Sequence, residues 1–418
     1  MAFTPDDNAP RVTVEEHLRT VLDSVEPLAA YEQPLLEALG LPVCQQISST
    51  MDLPSFDNSG MDGYAVVHTD LAGASSDNPV QLPVVGESAA GQSNILGMSG
   101  GTAVKIMTGA PVPSGATAVV PVEWTDGGAA SVRITRAPAQ GQHIRRRGED
   151  VATGEVLLES GDLLGPRQVG LVSSVGMARV PSRPRPRVVI MSTGAELREP
   201  GGRLSHDTIY DSNSYMLAAA VRQAGAIAYR VGIVSDDPAE FADALSDQLV
   251  RADLVVTSGG VSKGEYDVVK ETLARTGTVW FGEVAMQPGK PQGFGFVGED
   301  RIPIFTLPGN PVSSYVSYQL FVLPAIRRLM GRTPYSRPRV RLRIEGEVRS
   351  APGKEQYVRG RVHRGAEGWR DVVSPVGGHG SHLLGDLSAA NALIAVPADV
   401  ERVGDGDAVD VILLDQEF

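Results

Sequence analysis

Residues 255–267 read VVTSGGVSKGEYD, and the prediction of the fold starts from them. The apolar run at the start of this segment predicts the end of a buried strand, and the paired glycines in its middle predict a tight loop. The segment closes on Glu265 and Asp267, just before a predicted helix. Glycines let backbone N–H groups approach an anion closely, so this strand, loop and helix together predict an anion-binding loop.

Strands and helices alternate on both sides of this loop, over residues 187–330. The predicted strands are the runs RVVIMS, AIAYRVGIV, ADLVVTS and IPIFTLPGNP, and predicted helices lie between and after them. Such alternation predicts a mostly parallel sheet with helices on both faces. Ligands of such sheets bind at the carboxyl ends of the strands.

The flanking parts of the chain predict one helix and much β structure. Thr13 and Glu16 form a capping box that begins an N-terminal helix. Short alternating runs broken by Gly, Pro, Asn and Asp predict an all-β module over residues 42–147, and β-like runs return in the last 80 or so residues. A Pro- and Arg-rich segment at 180–187 predicts a stiff linker.

Composition narrows the classes of function. A length of 418 residues predicts two to four domains, and a net charge of -13 argues against nonspecific nucleic-acid binding, which needs a basic face. The single cysteine, Cys44, rules out an internal disulfide and a multi-cysteine zinc site. The sequence has neither a leader pattern nor an apolar run of about 20 residues, so we expect a cytoplasmic protein with no membrane partner.

Three more predicted strand ends carry chemistry like that of the opening loop. Together the four ends present Thr193, Gly194, Glu196, Asp236, Asp237, Gly259, Gly260, Gly309 and Asn310. Each end alone is equally well explained by a tight turn or a helix N-cap, but four at one edge favour a shared site. Amides beside several carboxylates indicate a divalent cation that bridges phosphate to protein, and Mg²⁺ fits best because no softer ligand is available.

Two motifs offer alternative interpretations. GFGFVG at 293–298 fits the dinucleotide fingerprint, but it lies within an alternating strand rather than at a strand-to-helix turn. GVSKG at 260–264 fits the nucleophile elbow of α/β-hydrolases with Ser262 as nucleophile, but three residues separate this serine from the helix. The histidines that could complete a triad lie in a different predicted module and are His363, His379 and His382.

The motifs STGAEL, IYDSNSYML, SDDP, TSGGVSKGEYD, PGKP and LPGNPVSS resemble, in this order, those of the MoeA family of molybdopterin molybdenumtransferases and of the gephyrin E domain. FDNSGMDGYAV, KIMTGAPVP and IRRRGEDV upstream, and QYVRGRV and GHGSHLLGDLSAANALI near the end, resemble other parts of that family. The resemblance runs from about residue 11 to the C-terminus, and it is specific because many motifs occur in the family's order.

This resemblance implies a multidomain α/β plus β fold in an elongated homodimer, with a cleft assembled across the dimer. The implied domains are a MogA-like α/β domain with a mostly parallel sheet at 11–26 and 182–331, a discontinuous β linker domain at 27–45 and 148–181, an inserted β-barrel-like domain at 46–147, and a C-terminal β-barrel domain at 335–418.

The resemblance also implies the last step of molybdenum cofactor synthesis. In that step molybdate is inserted into adenylylated molybdopterin with release of AMP and Mg²⁺ dependence, and the molybdopterin adenylyltransferase is a candidate partner. The alternative is a non-catalytic molybdopterin-binding or scaffold protein of the same fold. The presence of the acidic set Asp62, Glu196, Asp236 and Asp267 favours the enzyme.

Position by position, the resemblance implies functional roles for residues of this chain. The implied catalytic residues are Asp62, Glu196, Asp236, Asp267 and Lys290, and the implied metal ligands are Asp236 and Asp267. The implied substrate-binding residues are Thr108, Thr193, Gly259, Gly260, Ser262, Gly309, Asn310, Arg359 and Ser381.

The chain also departs from the family pattern. Glu283 and Gln287 stand where some relatives carry lysines, and Ala195 replaces a common acidic residue. We expect the loss of two positive charges to weaken an oxyanion clamp, with Lys263 as a candidate replacement.

Overall fold

The structure is a computed structural model that describes residues 11–91, 97–259, 268–365 and 371–418. The described residues form two compact units. One unit draws on the ranges Met1–Glu32, Gly40–Cys44 and Pro181–Phe418, and the other on Gln33–Leu39 and Gln45–Val180. This division is coarser than the four domains implied by the sequence, whose boundaries stay predictions. None of the described helices is long and apolar enough to cross a membrane.

The first unit contains a six-stranded sheet. Its strands lie in the order Ile227–Val234, Arg187–Thr193, Leu254–Ser258, Ile302–Leu307, Pro291–Val297 and Val279–Glu283. The first four strands run parallel, and the last two pair antiparallel with their preceding neighbours. The two strands at 187–193 and 254–258 are buried almost throughout. The predicted mostly parallel sheet is confirmed.

Helices cover both faces of this sheet. Successive side chains of a strand point to opposite faces, so Val188 and Ile190 face one core while Val189 and Met191 face the other. The first core is shared with helices Val14–Ser24, Asn213–Gln223, Pro311–Ser317 and Leu323–Met330, of which the last two are joined by a π-helical turn at Tyr318–Val322. The second core is shared with helices Pro238–Leu249 and Val268–Thr276.

The C-terminal part of the first unit is a closed barrel. Five strands follow one another around it, in the order Glu355–Arg364, Asp371–Pro375, Arg339–Ile344, Ala408–Leu413 and Ala392–Val396, and the last pairs back with the first. A short helix, Leu384–Ala389, precedes the strand at 392–396. The predicted C-terminal β barrel is confirmed. Other short strands of this unit are Leu197–Arg198, Ile209–Tyr210, Met286–Gln287, Val348–Arg349 and Arg402–Val403.

The second unit is mostly β structure, as predicted for residues 46–147. Its main sheet has the order Ala118–Pro121, Gly63–Val66, Ala103–Ile106, Val80–Ser88 and Ser131–Ile134. A bridge between Thr125 and Ile134 links the segment that follows one outer strand, Ala118–Pro121, to the other outer strand, Ser131–Ile134. Shorter elements are Ile47–Ser48, Asn58–Ser59, His68–Leu71, Val122–Trp124, Ile144–Arg145, Val156–Leu158 and Pro166–Ser174. Strands Tyr31–Pro34 and Arg179–Ser182 lie where the chain passes between the units.

The N-terminal helix packs a histidine into the core of the first unit. The capping box predicted for this helix is confirmed, because Glu16 N–H donates to the Thr13 hydroxyl and Thr13 N–H donates to the Glu16 carboxylate. His17, one residue later, is 3% exposed and its ring lies 4.6 Å from that of Phe321 and 5.1 Å from that of Trp280. Burial lowers the pKa of His17 from 6.5 to about 4, because the charged imidazolium loses its hydration there.

We expect this buried histidine to make the fold sensitive to acid. Below pH 6.5 the unfolded chain binds a proton at His17, whereas the folded chain does so only near pH 4. The neutral His17 therefore makes its full contribution to the free energy of unfolding above pH 6.5. That contribution is lost progressively as the pH falls to 4, and the total loss is about 3 kcal/mol. Chemical unfolding of the native chain and of His17→Leu, each at pH 7 and pH 4.5, measures the difference.

His206→Leu is the control, because the His206 side chain is exposed. It should keep the pH dependence of the native chain, whereas His17→Leu should show a smaller loss of stability at pH 4.5. Equal losses in the native chain and in His17→Leu would contradict the prediction.

Candidate active site

The four parallel strands of the first unit end at the same edge of the sheet. Their register pairs Thr193 with Val234, Ser192 with Ser258, and Ser258 with Leu307. The segments that follow these ends are therefore neighbours in space, as the sequence predicted. The start of strand Pro291–Val297 lies at this edge as well, because that strand runs antiparallel to its neighbour.

Asp236 joins the loops that follow two neighbouring parallel strands, Ile227–Val234 and Arg187–Thr193. Its Oδ2 accepts a hydrogen bond from the backbone N–H of Ala195 at 2.7 Å. Asp236 and the nearby Glu196 are both exposed. Two solvent-exposed carboxyl groups therefore lie at this part of the edge.

Asn213 ties together two of the other strand ends. Its Nδ2 donates to the Ser258 hydroxyl at 2.8 Å and to the Gly309 backbone oxygen at 2.6 Å. The Oδ1 of the same side chain is buried and has no hydrogen-bond partner among the described residues. Asn213 lies within the motif IYDSNSYML, but the sequence predicts no role for this residue. Only its position at the first turn of a helix near the edge could have indicated one.

Gly259 makes the closest backbone approach at this edge. Its φ of +95° lies in the region that favours glycine, and its N–H donates to the Leu307 oxygen at 3.2 Å. A Cβ added to this glycine would lie 3.0 Å from the Thr193 oxygen. Gly309 is different, since its φ is ordinary and an added Cβ would stay 3.7 Å from the Gly259 Cα. Both the conformation of Gly259 and its neighbours therefore favour glycine at this position.

A glycine-rich loop of the C-terminal part reaches the same edge. The Asn310 Nδ2 donates to the Ser381 hydroxyl at 2.9 Å, and the backbone oxygen of Ser381 accepts a hydrogen bond from the Val312 N–H at 3.0 Å. These two predicted substrate-binding residues therefore lie side by side at the start of helix Pro311–Ser317.

Arg359 holds this loop in place through hydrogen bonds to its backbone. The guanidinium is 4% exposed and donates to the backbone oxygens of Gly378 and, at 3.0 Å, of Gly380. The carboxylate of Asp386 lies 3.9 Å away. Burial lowers the pKa of Arg359, and Asp386 opposes that change. In the structure, Arg359 thus positions the loop that carries Ser381.

Lys290 is paired with an acidic residue. Its ammonium lies 2.6 Å from the Glu283 carboxylate, and the Arg11 guanidinium lies 3.3 Å from the same oxygen. Glu283 occupies one of the positions where some relatives carry lysine, so the departure from the family pattern places a carboxylate directly on the predicted cation. A ligand that uses Lys290 has to compete with Glu283.

In the second unit, Asp62 and Thr108 lie together, as their paired assignment predicts. The Thr108 N–H donates to the Asp62 Oδ1 at 2.6 Å, and both side chains are exposed. This hydrogen bond from the backbone lowers the pKa of Asp62. Asp62 therefore remains an anion throughout the neutral range.

Several predicted residues lie outside the described residues, namely Gly260, Ser262, Lys263 and Asp267. The predicted nucleophile elbow around Ser262 and one of the two implied metal ligands, Asp267, therefore lie outside the described residues as well. Within the described ranges, no group of three or more His, Cys, Asp or Glu residues could hold a metal ion.

Three family models match the chain. They are the MoeA N-terminal region (domain I and II) over residues 12–176, the "Probable molybdopterin binding domain" over 189–328, and the MoeA C-terminal region (domain IV) over 341–414. Together they cover the segments on which the sequence resemblance rests.

Individual proteins agree with these matches. Molybdopterin molybdenumtransferase 2 of Mycobacterium tuberculosis is 44% identical over 96% of this chain and 98% of its own length. Molybdopterin molybdenumtransferase of Haemophilus influenzae is 36% identical over 90% of this chain and 92% of its own length. A crystal structure of a molybdopterin biosynthesis MoeA protein from Pyrococcus horikosii superposes with a TM-score of 0.81 at 29% identity, over 97% of this chain and 100% of that one.

The fold and these similarities place the chain in the class of molybdopterin-biosynthesis proteins. The chain belongs to the MoeA family of molybdopterin molybdenumtransferases.

The two glycines at the edge give a test of the loop geometry. Gly259→Ala should lower the free energy of unfolding by about 1–3 kcal/mol, since alanine is disfavoured at positive φ and its Cβ would press on Thr193. Gly309→Ala is the matched control and should change it by less than about 1 kcal/mol. Denaturant unfolding of both variants measures the difference, and equal effects would show that the Gly259 geometry is not needed.

Proposed function

We propose that this chain inserts molybdenum from molybdate into adenylylated molybdopterin and releases AMP, in the last step of molybdenum cofactor synthesis. The observation that carries this proposal is the convergence of four strand ends on one sheet edge, where hydroxyl, amide, carboxylate and ammonium groups lie together. The substrate has phosphate groups and a phosphoanhydride, and such an edge suits ligands of that chemistry.

The phosphates would be bound by groups that this edge supplies in place of water. Helix Pro311–Ser317 begins there, and the N-terminal end of a helix carries partial positive charge that attracts anions. Asn310 and Ser381 offer polar groups beside that end, while Lys290 offers a full positive charge once it leaves Glu283. Fixed donors of this kind stabilise charge that develops when a phosphoanhydride is cleaved.

Mg²⁺ is part of the proposal. Mg²⁺ is usually held by one or two carboxylates together with waters and substrate phosphates, so an exposed carboxylate at the phosphate-binding edge fits this role. We assign this role to Asp236, with Asp267 as the second ligand. When bound, the ion would neutralise phosphate charge and polarise the phosphoanhydride. Asp62 and Glu196 remain proposed catalytic residues on the basis of the family resemblance.

We expect Asp236→Asn to lower the rate of molybdenum insertion at least about 100-fold, a loss of about 3 kcal/mol that is typical of one charge-assisted contact. The Asn oxygen can still accept the Ala195 N–H, so the fold should not change. The assay uses adenylylated molybdopterin, molybdate and a series of Mg²⁺ concentrations.

Asp237→Asn is the matched control for this experiment. Asp237 caps helix Pro238–Leu249 by accepting the N–H groups of Ala239 and Glu240, and Asn caps helices equally well. Its activity should stay within about twofold of the native chain. Full activity of Asp236→Asn would remove the metal-ligand role, and a native chain that binds the substrate without inserting molybdenum would favour a scaffold.

We further propose that the chain acts in the cytoplasm as a homodimer, with the molybdopterin adenylyltransferase as its partner. The family resemblance supports these assignments. If each active site uses residues from two subunits, heterodimers of Asp62→Asn and Asp236→Asn subunits should recover activity that neither variant shows alone. Co-expression with two different affinity tags isolates these heterodimers. Heterodimers as inactive as the parent variants would contradict the shared site.

A further inference from the structure

The glycine-rich loop of the C-terminal part carries a histidine, His379, whose side chain is exposed. The Arg359 guanidinium donates to the backbone oxygens of Gly378 and Gly380, which are the residues directly before and after His379. Gly378 is also held through its N–H, which donates to the Asp386 carboxylate at 3.1 Å. The backbone is thus fixed on both sides of a side chain that is open to solvent.

The imidazole ring of His379 is oriented by a buried amide. The Nε2 of Gln356, a residue that is 7% exposed, lies 3.3 Å from the Nδ1 of His379. An amide nitrogen can only donate, so Nδ1 is the acceptor of this hydrogen bond and the neutral ring carries its proton on Nε2. Within the described residues this Nε2–H has no acceptor. His379 therefore presents one oriented N–H donor that a ligand can use.

Gln356 connects His379 to the turn that carries Lys290. Gln356 and Gln287 are direct neighbours in the parallel pairing of their two strands, and Lys290 follows Gln287 by three positions. Gln287 is one of the two positions where some relatives carry lysine, so this part of the edge has fewer cationic donors than it has in those relatives. The N–H of His379 adds a donor to this reduced set.

On its other side, the loop is anchored at Asn310. Ser381, two positions after His379, accepts a hydrogen bond from the Asn310 Nδ2 at 2.9 Å, and its backbone oxygen accepts the Val312 N–H at 3.0 Å. His379 thus lies between this anchor and the turn that carries Lys290. The family resemblance gives a role toward an anionic substrate to residues on both sides of it.

The second histidine of the loop, His382, is placed differently. Its side chain is exposed as well, but the ring lies back on its own loop, because a Cβ added to Gly380 would be 2.9 Å from the His382 Cε1. Among the described residues, no hydrogen bond orients this ring. His382 therefore lacks the fixed donor that Gln356 gives to His379.

We propose, on the basis of the proposed function, that the His379 Nε2–H donates to a phosphate oxygen of the bound substrate. A phosphate group has several acceptor oxygens, and its negative charge strengthens a hydrogen bond from a neutral donor. Because the backbone and the ring are both held before the ligand arrives, little conformational entropy is lost on binding. Two sources supply this chemistry, the phosphate of molybdopterin and the phosphate of the AMP portion.

Titration calorimetry of the purified full chain with AMP and, separately, with molybdopterin tests the proposal without turnover. His379→Leu should weaken the binding of one of these ligands at least about tenfold, as expected for the loss of a hydrogen bond to a charged group. His379→Gln should bind within about threefold of the native chain, because the Gln amide nitrogen can replace the Nε2–H donor. A role in the stability of the loop alone would not separate these variants by affinity.

His382→Leu is the matched control, since it removes an exposed histidine from the same loop. Its affinity for both ligands should stay within about twofold of the native value. The midpoint of thermal unfolding of all three variants should lie within about 3 °C of the native value, because the changed side chains are exposed. Dependence of AMP binding on His379 identifies the nucleotide phosphate as the ligand, and dependence of molybdopterin binding identifies the pterin phosphate.

The proposal is overturned if neither ligand binds, if His379→Leu binds both as the native chain does, if His379→Gln binds as weakly as His379→Leu, or if only His382→Leu loses affinity. A separate assay of molybdenum insertion distinguishes this failure from that of the proposed function. A chain that binds through His379 but inserts no molybdenum would contradict the proposed function alone. Insertion at the native rate and native affinity in His379→Leu would contradict the role of His379 alone.

Discussion

The common end point of four parallel strands is the constraint on which the candidate active site depends. Each strand ends opposite a defined residue of its neighbour, and the sheet is covered on both faces. A slip of one residue would exchange the two buried faces of a strand, so the register is strongly fixed. The short hydrogen bonds from the Ala195 N–H to Asp236 and from Asn213 to Ser258 are possible only because the strand ends coincide. The positions of the loops are thus set by the packing and register of the sheet.

Sequence patterns could predict the strand ends but not the contacts between them. Each apolar run stops at a glycine or a polar residue, and that change is visible in the chain itself. Asn213, by contrast, reads only as a polar residue at a helix start, while its partners lie 45 and 96 positions further along. Those contacts arise from the sheet order, which a local pattern does not contain. The same holds for Asn310 and Ser381, which are 71 positions apart.

Burial separates two cations that the motifs present as equivalent. Arg359 and Lys290 both stand next to glycine in short motifs, and the resemblance gives both a role toward an anion. The structure buries Arg359 against the backbone of a loop, whereas it leaves Lys290 partly exposed and paired with Glu283. Arg359 therefore fixes the conformation of the loop, whereas Lys290 contributes positive charge to the edge. Because Glu283 is paired with Lys290, the edge is less positive than its motifs indicate, and the proposed binding of an anion there would rely more on backbone amides.

The guanidinium groups of this chain are held by two kinds of partner. Arg187 is held by both oxygens of Asp253, at 2.8 and 3.0 Å, and Arg230 is held by both oxygens of Glu199, at 2.9 and 3.0 Å. With 50 acidic and 37 basic residues, the chain has carboxylates in excess for such pairs. Arg327, which is more buried, instead donates to the backbone oxygen of Pro334 and to an oxygen of Phe418. Carboxylates are plentiful in the sequence, so the partner of each guanidinium is set by where the fold places it and not by composition.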